Sequence, residues 1–136
     1  MAKKVFAVID TNVIVSGFLT KNPLSPTQKI LSALTEGLIT PLFNKEIIEE
    51  YKDVLQRDKF KLPMEQVGWI LKLIETDGIG SERINTELSF PDPKDVVFYE
   101  IAMSKEDAYL VTGNIKHFPK KPFVVTPAEM VEILGI

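Results

Sequence analysis

The chain has 136 residues, with 16 Lys and Arg against 19 Asp and Glu, for a formal net charge of −3. That length suits one domain over residues 1–136 with a core of its own, and the acidic balance argues against a broadly basic nucleic-acid coat. With no cysteine, disulfides, thiolate zinc sites and cysteine nucleophiles are excluded.

In chain order, "KKVFAVI" is a short apolar run that reads as a strand buried on both faces. Its apolar part is only five residues long before Asp10, too short for the apolar region of a signal peptide. No stretch approaches the ~20 apolar residues of a membrane span, so a cytoplasmic protein is expected. "NVIVSGFLT" predicts a helix ending near Thr20, before the "KNPLSP" turn. Ser25-Pro26 supplies a cap and a first-position proline for a helix over roughly 26–36, stopped by Gly37. "LITPLF" is a second strand, and Asn44 then caps "KEIIEEYKDVLQR", whose apolar residues at 47, 48, 51, 54 and 55 keep helical spacing. A further helix, "MEQVGWILKLIET", follows Pro63, with Trp69 and the phenylalanines expected in the core. "DGIGSERI" is weakly patterned and suggests a short edge strand. "PDPKDVVFYEIAMSK" is a helix with a marked start, "AYLVT" a buried strand, "PFVV" a last strand and "PAEMVEILG" a closing helix.

Strands alternating with helices predict an α/β fold, a three-layer α/β/α sandwich around a mostly parallel sheet. Ligands of such sheets bind beyond the carboxyl ends of the strands. Two polar strings stand at such ends: Asp10-Thr11-Asn12 after the first strand and Thr112-Gly113-Asn114 after "AYLV".

Each acid has a structural and a chemical reading. Asp10 at a strand-to-helix junction is either an N-cap or a site carboxylate, and Thr11 or Asn12 are able to cap in its place. On the helix after Asn44, at ~100° per residue, the apolar stripe centres close to Tyr51. Glu46, Glu49 and Asp53 fall roughly 140–160° away, on the solvent face, whereas Glu50 falls only about 100° away, at the stripe's edge. Asp92 reads as the cap of the helix that Pro93 opens, which leaves Asp95 free in the first turn. The lone His117 reads as a loop residue, since one histidine without cysteine makes a poor zinc site. Lys116, Lys120 and Lys121 follow the second polar string and are candidate phosphate contacts. Carboxylates gathered without partner cations repel one another, so such a group calls for a divalent cation, and oxygen donors suit Mg²⁺ or Mn²⁺.

The sequence resembles the PIN-domain ribonucleases, in particular the small prokaryotic proteins that act as toxins of toxin–antitoxin pairs. The resemblance spans essentially the whole chain and rests on "VIDTNVIVSGF", "NKEIIEEYKDVL", "FPDPKDVVFYEIA" and "AYLVTGNIKHFP". It implies that Asp10, Glu50 and Asp95 are catalytic acids that hold Mg²⁺ or Mn²⁺, directly or through water. Thr11, Asn12, Asp92 and Thr112 are implied in supporting roles. The family's fourth acid lies two residues after a threonine, and here that position is Asn114. An amide oxygen is able to ligate a metal but adds no charge, which weakens a second metal site more than the first. The resemblance further implies an RNA substrate, a cognate antitoxin protein and a homodimer.

Three rival readings stand beside it. A haloacid-dehalogenase-type phosphatase needs an aspartate at position 12, where this chain has Asn12. A response-regulator receiver needs an early acid pair and a later strand-end aspartate, and neither is present. The third is a PIN fold weakened at Asn114 that binds RNA or protein without cleaving.

Overall fold

The computed structural model describes residues 3–136. Strand β1 (Val5–Ile9) is the expected apolar run, with its last three residues buried, and it leads through Asp10 into α1 (Thr11–Leu19). Helix α2 (Pro26–Thr35) begins at the Ser25-Pro26 signal, where Ser25 accepts from the Gln28 N–H. Gly37, at φ +76°, takes the left-handed conformation that a side chain would disfavour and turns the chain into β2 (Ile39–Phe43). Asn44 caps α3 (Lys45–Leu55) by accepting from the Ile47 N–H. Helix α4 (Met64–Asp77) precedes the edge strand β3 (Ile79–Gly80). An irregular stretch over 81–92 leads into a 3-10 turn at Pro93–Asp95 that continues as α5 (Val96–Met103). Strand β4 (Ala108–Val111), a second 3-10 turn (Ile115–His117), β5 (Val124–Val125) and α6 (Pro127–Leu134) complete the order. A reciprocal capping box between Thr126 and Glu129 starts α6.

The five strands form one parallel sheet in the order β3-β2-β1-β4-β5, so the expected parallel α/β/α sandwich is the observed architecture. Helix α5 packs on β1 and β4, α2 and α4 touch β2, and α6 lies against α2. Strand order explains where a site forms. From β1 the chain moves toward β2, whereas β4 hands on to β5 in the opposite direction. Between two such strands the connections diverge and leave a crevice at their carboxyl ends. Ile9 pairs with Val111, so the next residues out, Asp10 and Thr112, face each other at the crevice.

The core is mainly aliphatic, with Ile9, Ile14, Ile30, Ile39, Leu42 and Ile101 almost wholly buried, and the rings of Tyr51, Phe98 and Tyr99 are buried among them. Gly17 lets α1 approach α2 closely, because a Cβ there would stand 2.6 Å from Leu31 Cδ1. One expectation fails here: Trp69 is not a core residue but is 54% exposed. The buried stripe of α4 is Val67, Ile70, Leu71 and Ile74, and Trp69 lies ~200° round the helix from Val67, on the other side. No helix among the described residues is long and apolar enough to cross a membrane.

Candidate active site

The crevice is built around Asp10. Its backbone N–H donates to the Val111 carbonyl at 2.9 Å, which extends the β1–β4 pairing by one residue and drives the carboxylate inward. Asp10 is only 7% exposed although it ends a strand. Between cap and site residue the geometry is informative: Asp10 occupies the N-cap position of α1, yet its side chain makes no capping hydrogen bond. Instead the Thr112 hydroxyl donates to Asp10 Oδ2 at 2.7 Å, and the same hydroxyl accepts from the Asn114 N–H at 3.0 Å. Thr112 is completely buried, so its bond to Asp10 is shielded from water. Burial pushes the Asp10 carboxyl above the usual range; the Thr112 hydrogen bond and the Thr11 and Asn12 N–H groups offset part of this, and the nearby charge of Glu50 adds to it.

Glu50, on α3, is half-buried, as its place on the helix wheel suggests, and its charge acts on Asp10, while Glu46, Glu49 and Asp53 are exposed. One residue on, Tyr51 is buried against Phe98, and its hydroxyl donates to the Ile9 carbonyl. Burial, with the charges of Asp10 and Glu50, pushes the phenol far upward, so Tyr51 stays a neutral donor that seats α3 on the end of β1.

Asp95 closes the 3-10 turn before α5, while Asp92 does the capping by accepting from the Lys94 N–H at 2.9 Å. The Asp95 side chain is 15% exposed, and its carboxyl is raised to about 6, first by burial and then by the charges of Asp10 and Asp92, with His117 opposing. The start of this helix therefore does stand on the same rim as Asp10. His117, read from sequence as a loop residue, is exposed but places Nδ1 3.5 Å from Asp95 Oδ2. That distance is too long for a good hydrogen bond, and Oδ2 has no hydrogen-bond partner.

The remaining candidates are more dispersed. Thr11 is buried at the head of α1. Asn12 and Asn114 line a shared cleft with Ser16, Thr27 and Gly113, a lining that includes no acid. Lys116, Lys120 and Lys121 are exposed, and none forms an ion pair within the described residues. Sequence reading missed Glu100, which is 3% exposed and bonded to Arg83. A glutamate inside "VVFYEIAM" was the available signal, because a buried acid needs a partner; nothing in "GSERI" marked Arg83 as that partner.

Three buried oxygens here have no hydrogen-bond partner: Thr11 Oγ1, Asn12 Oδ1 and Asp95 Oδ2. Together with carboxylates raised by burial and mutual charge, this all-oxygen donor set fits a hard divalent cation. Among the described residues no three acid or histidine side chains converge closely enough to chelate one ion unaided. The donor chemistry fits, and the spacing leaves ligand positions for water. In comparison with known proteins, residues 7–116 match a family model described as PIN domain. No curated protein and no solved structure matches the chain significantly.

Proposed function

The chain belongs to the PIN-domain family, and we propose that it is a Mg²⁺- or Mn²⁺-dependent ribonuclease that hydrolyses RNA phosphodiester bonds. PIN domains are generally nucleases and typically use divalent metal ions, which supports the reading at the level of the family. The observation that carries it is the Asp10 carboxylate: buried, unused as a cap, held by Thr112 and lying in the fields of Glu50 and Asp95.

In this proposal Asp10, Glu50 and Asp95 would hold the cation, directly or through bridging water, with Asn114 as a neutral fourth donor. When bound, the cation lowers the pKa of a water and stabilises charge developing on the phosphoryl oxygens. Thr112 restrains the rotamer of Asp10 by donating to Oδ2. Asp95 or Glu50 would orient the attacking water by accepting a hydrogen bond from it. Thr11 and Asn12 position the scissile group, and Lys116, Lys120 and Lys121 offer phosphate contacts along the outer rim. The proposal extends to the cell: a cytoplasmic toxin of a toxin–antitoxin pair, homodimeric and blocked by a small partner protein.

The test incubates purified protein with assorted RNAs in Mg²⁺, Mn²⁺ or chelator, beside Asp10→Asn. Cleavage confined to metal-containing reactions of the parent protein is expected. Cleavage that persists in chelator or in Asp10→Asn would overturn the proposal. A second reading, an RNA- or protein-binding module without cleavage, draws on Asn114 in place of an acid and on the wide spacing of the carboxylates. RNA binding with no cleavage under any of these conditions selects it.

A further inference from the structure

A second charged assembly adjoins the acids. Glu100 sits in the middle of α5 and is buried, yet both of its oxygens are bonded: Arg83 Nε donates to Oε1 at 2.6 Å and the Thr86 N–H to Oε2 at 2.6 Å. The same guanidinium donates through Nη1 to both oxygens of Glu46, at 3.1 and 2.9 Å. Arg83 thus belongs to neither helix but ties α3 to α5 from the irregular stretch over 81–92. The helices it joins carry the acids of the crevice. Glu46 lies one turn before Glu50 on α3, and α5 starts directly after Asp95. Arg83, Glu46 and Glu50 also line one cavity, with Lys94.

An arginine so placed has two possible uses, an anchor for substrate phosphate or a clamp. Charge decides between them. Arg83 and Lys94 meet Glu46, Glu50 and Glu100, two positive charges against three negative, a balance that repels phosphate. Nε and Nη1 are also already committed to carboxylates. A planar guanidinium bridging two carboxylates fixes their separation in a way a lysine ammonium does not.

We propose that Arg83 is a positioning residue: by bridging Glu46 and Glu100 it sets the spacing between Glu50 and Asp95, and with it the affinity of the crevice for a divalent cation. The proposal rests on the metal reading given above. Its physical basis is that a ligand set must be held to within about 0.5 Å to work, and that the groups supporting the ligands do the holding.

The chain has no cysteine, so spin labels placed through Glu49→Cys on α3 and Lys94→Cys before α5 report the inter-helix distance directly in metal-free protein. Arg83→Lys and Glu46→Gln are the variants, and Glu46→Gln leaves the buried Glu100 paired. Both are expected to broaden the distance distribution. In unlabelled protein both are expected to weaken Mn²⁺ binding in calorimetry by roughly tenfold and to lower kcat with KM unchanged. Distributions as narrow as the parent's overturn the proposal, as does broadening with unchanged Mn²⁺ affinity. A parent protein that binds no Mn²⁺ overturns the metal reading instead, and the distance measurement still decides whether Arg83 sets the spacing.

Discussion

Asp95→Asn is expected to stabilise the metal-free protein above neutral pH while removing its function. The carboxyl is raised to about 6 in the folded chain from its ordinary 3.8, chiefly because it is buried and secondarily because Asp10 and Asp92 are close. A raised acid binds its proton more tightly when folded. Its contribution to stability is therefore intact below the unfolded value near 3.8 and is lost as pH rises through about 6. With 1.36 kcal/mol per unit, a shift of ~2 units costs about 3 kcal/mol at pH 8. The 15% exposure of the side chain calls for only a modest discount, to about 2–3 kcal/mol. For a chain of this size that is a gain in Tm of roughly 6–12 °C for the asparagine variant. Thermal unfolding in chelator at pH 8 and again at pH 4 is the assay, and at pH 4 most of the advantage should vanish. The reasoning is refuted if Asp95→Asn gains nothing at pH 8, or if its gain is the same at both pH values. Adding Mn²⁺ at pH 8 should raise the Tm of the parent more than that of the variant, since the parent alone offers the cation that carboxylate.

Thr112→Val removes the donor to Asp10 Oδ2 and the acceptor for the Asn114 N–H, and is expected to cost about 1–3 kcal/mol in urea unfolding. Thr112→Ser should restore most of it, and a valine variant as stable as the parent would contradict these two hydrogen bonds. Gly17→Ala forces a methyl group to within 2.6 Å of Leu31 Cδ1 and is expected to destabilise by about 1–3 kcal/mol, more than the helix-propensity gain offsets. Equal denaturation midpoints would show that Leu31 yields freely. Asn114→Asp adds a carboxylate beside Asn12 and should tighten Mn²⁺ binding in calorimetry; an unchanged affinity removes Asn114 from the ligand set.

Much of this was legible because it is local. Ser25-Pro26, Asn44 and Asp92-Pro93 announce helix starts through hydrogen bonds made within three residues, and all three are observed. Glu50 stood out because a helix wheel needs only one turn of neighbours. The same wheel places Trp69 opposite Val67, so expecting it in the core overweighted the size of an indole and underweighted its phase. The Arg83–Glu100 pair spans 17 residues and arises in a stretch with no period, where neither propensity nor pattern encodes a partner. His117 is similar: its approach to Asp95 depends on how the connection after β4 folds back over the rim. Tertiary pairings of single side chains are the part that chain-order reading does not reach.

The hydrogen bond between Thr112 and Asp10 joins residues 102 positions apart. During synthesis β1, α1 and β2 are able to associate long before β4 exists, but Asp10 then ends a strand with an open edge and no hydroxyl to orient it. The crevice comes into being only when β4 inserts beside β1. A nascent chain halted before Ala108 would carry Asp10 and Glu50 and still lack this geometry. The geometry that orients Asp10 is therefore among the last things the chain acquires as it is made.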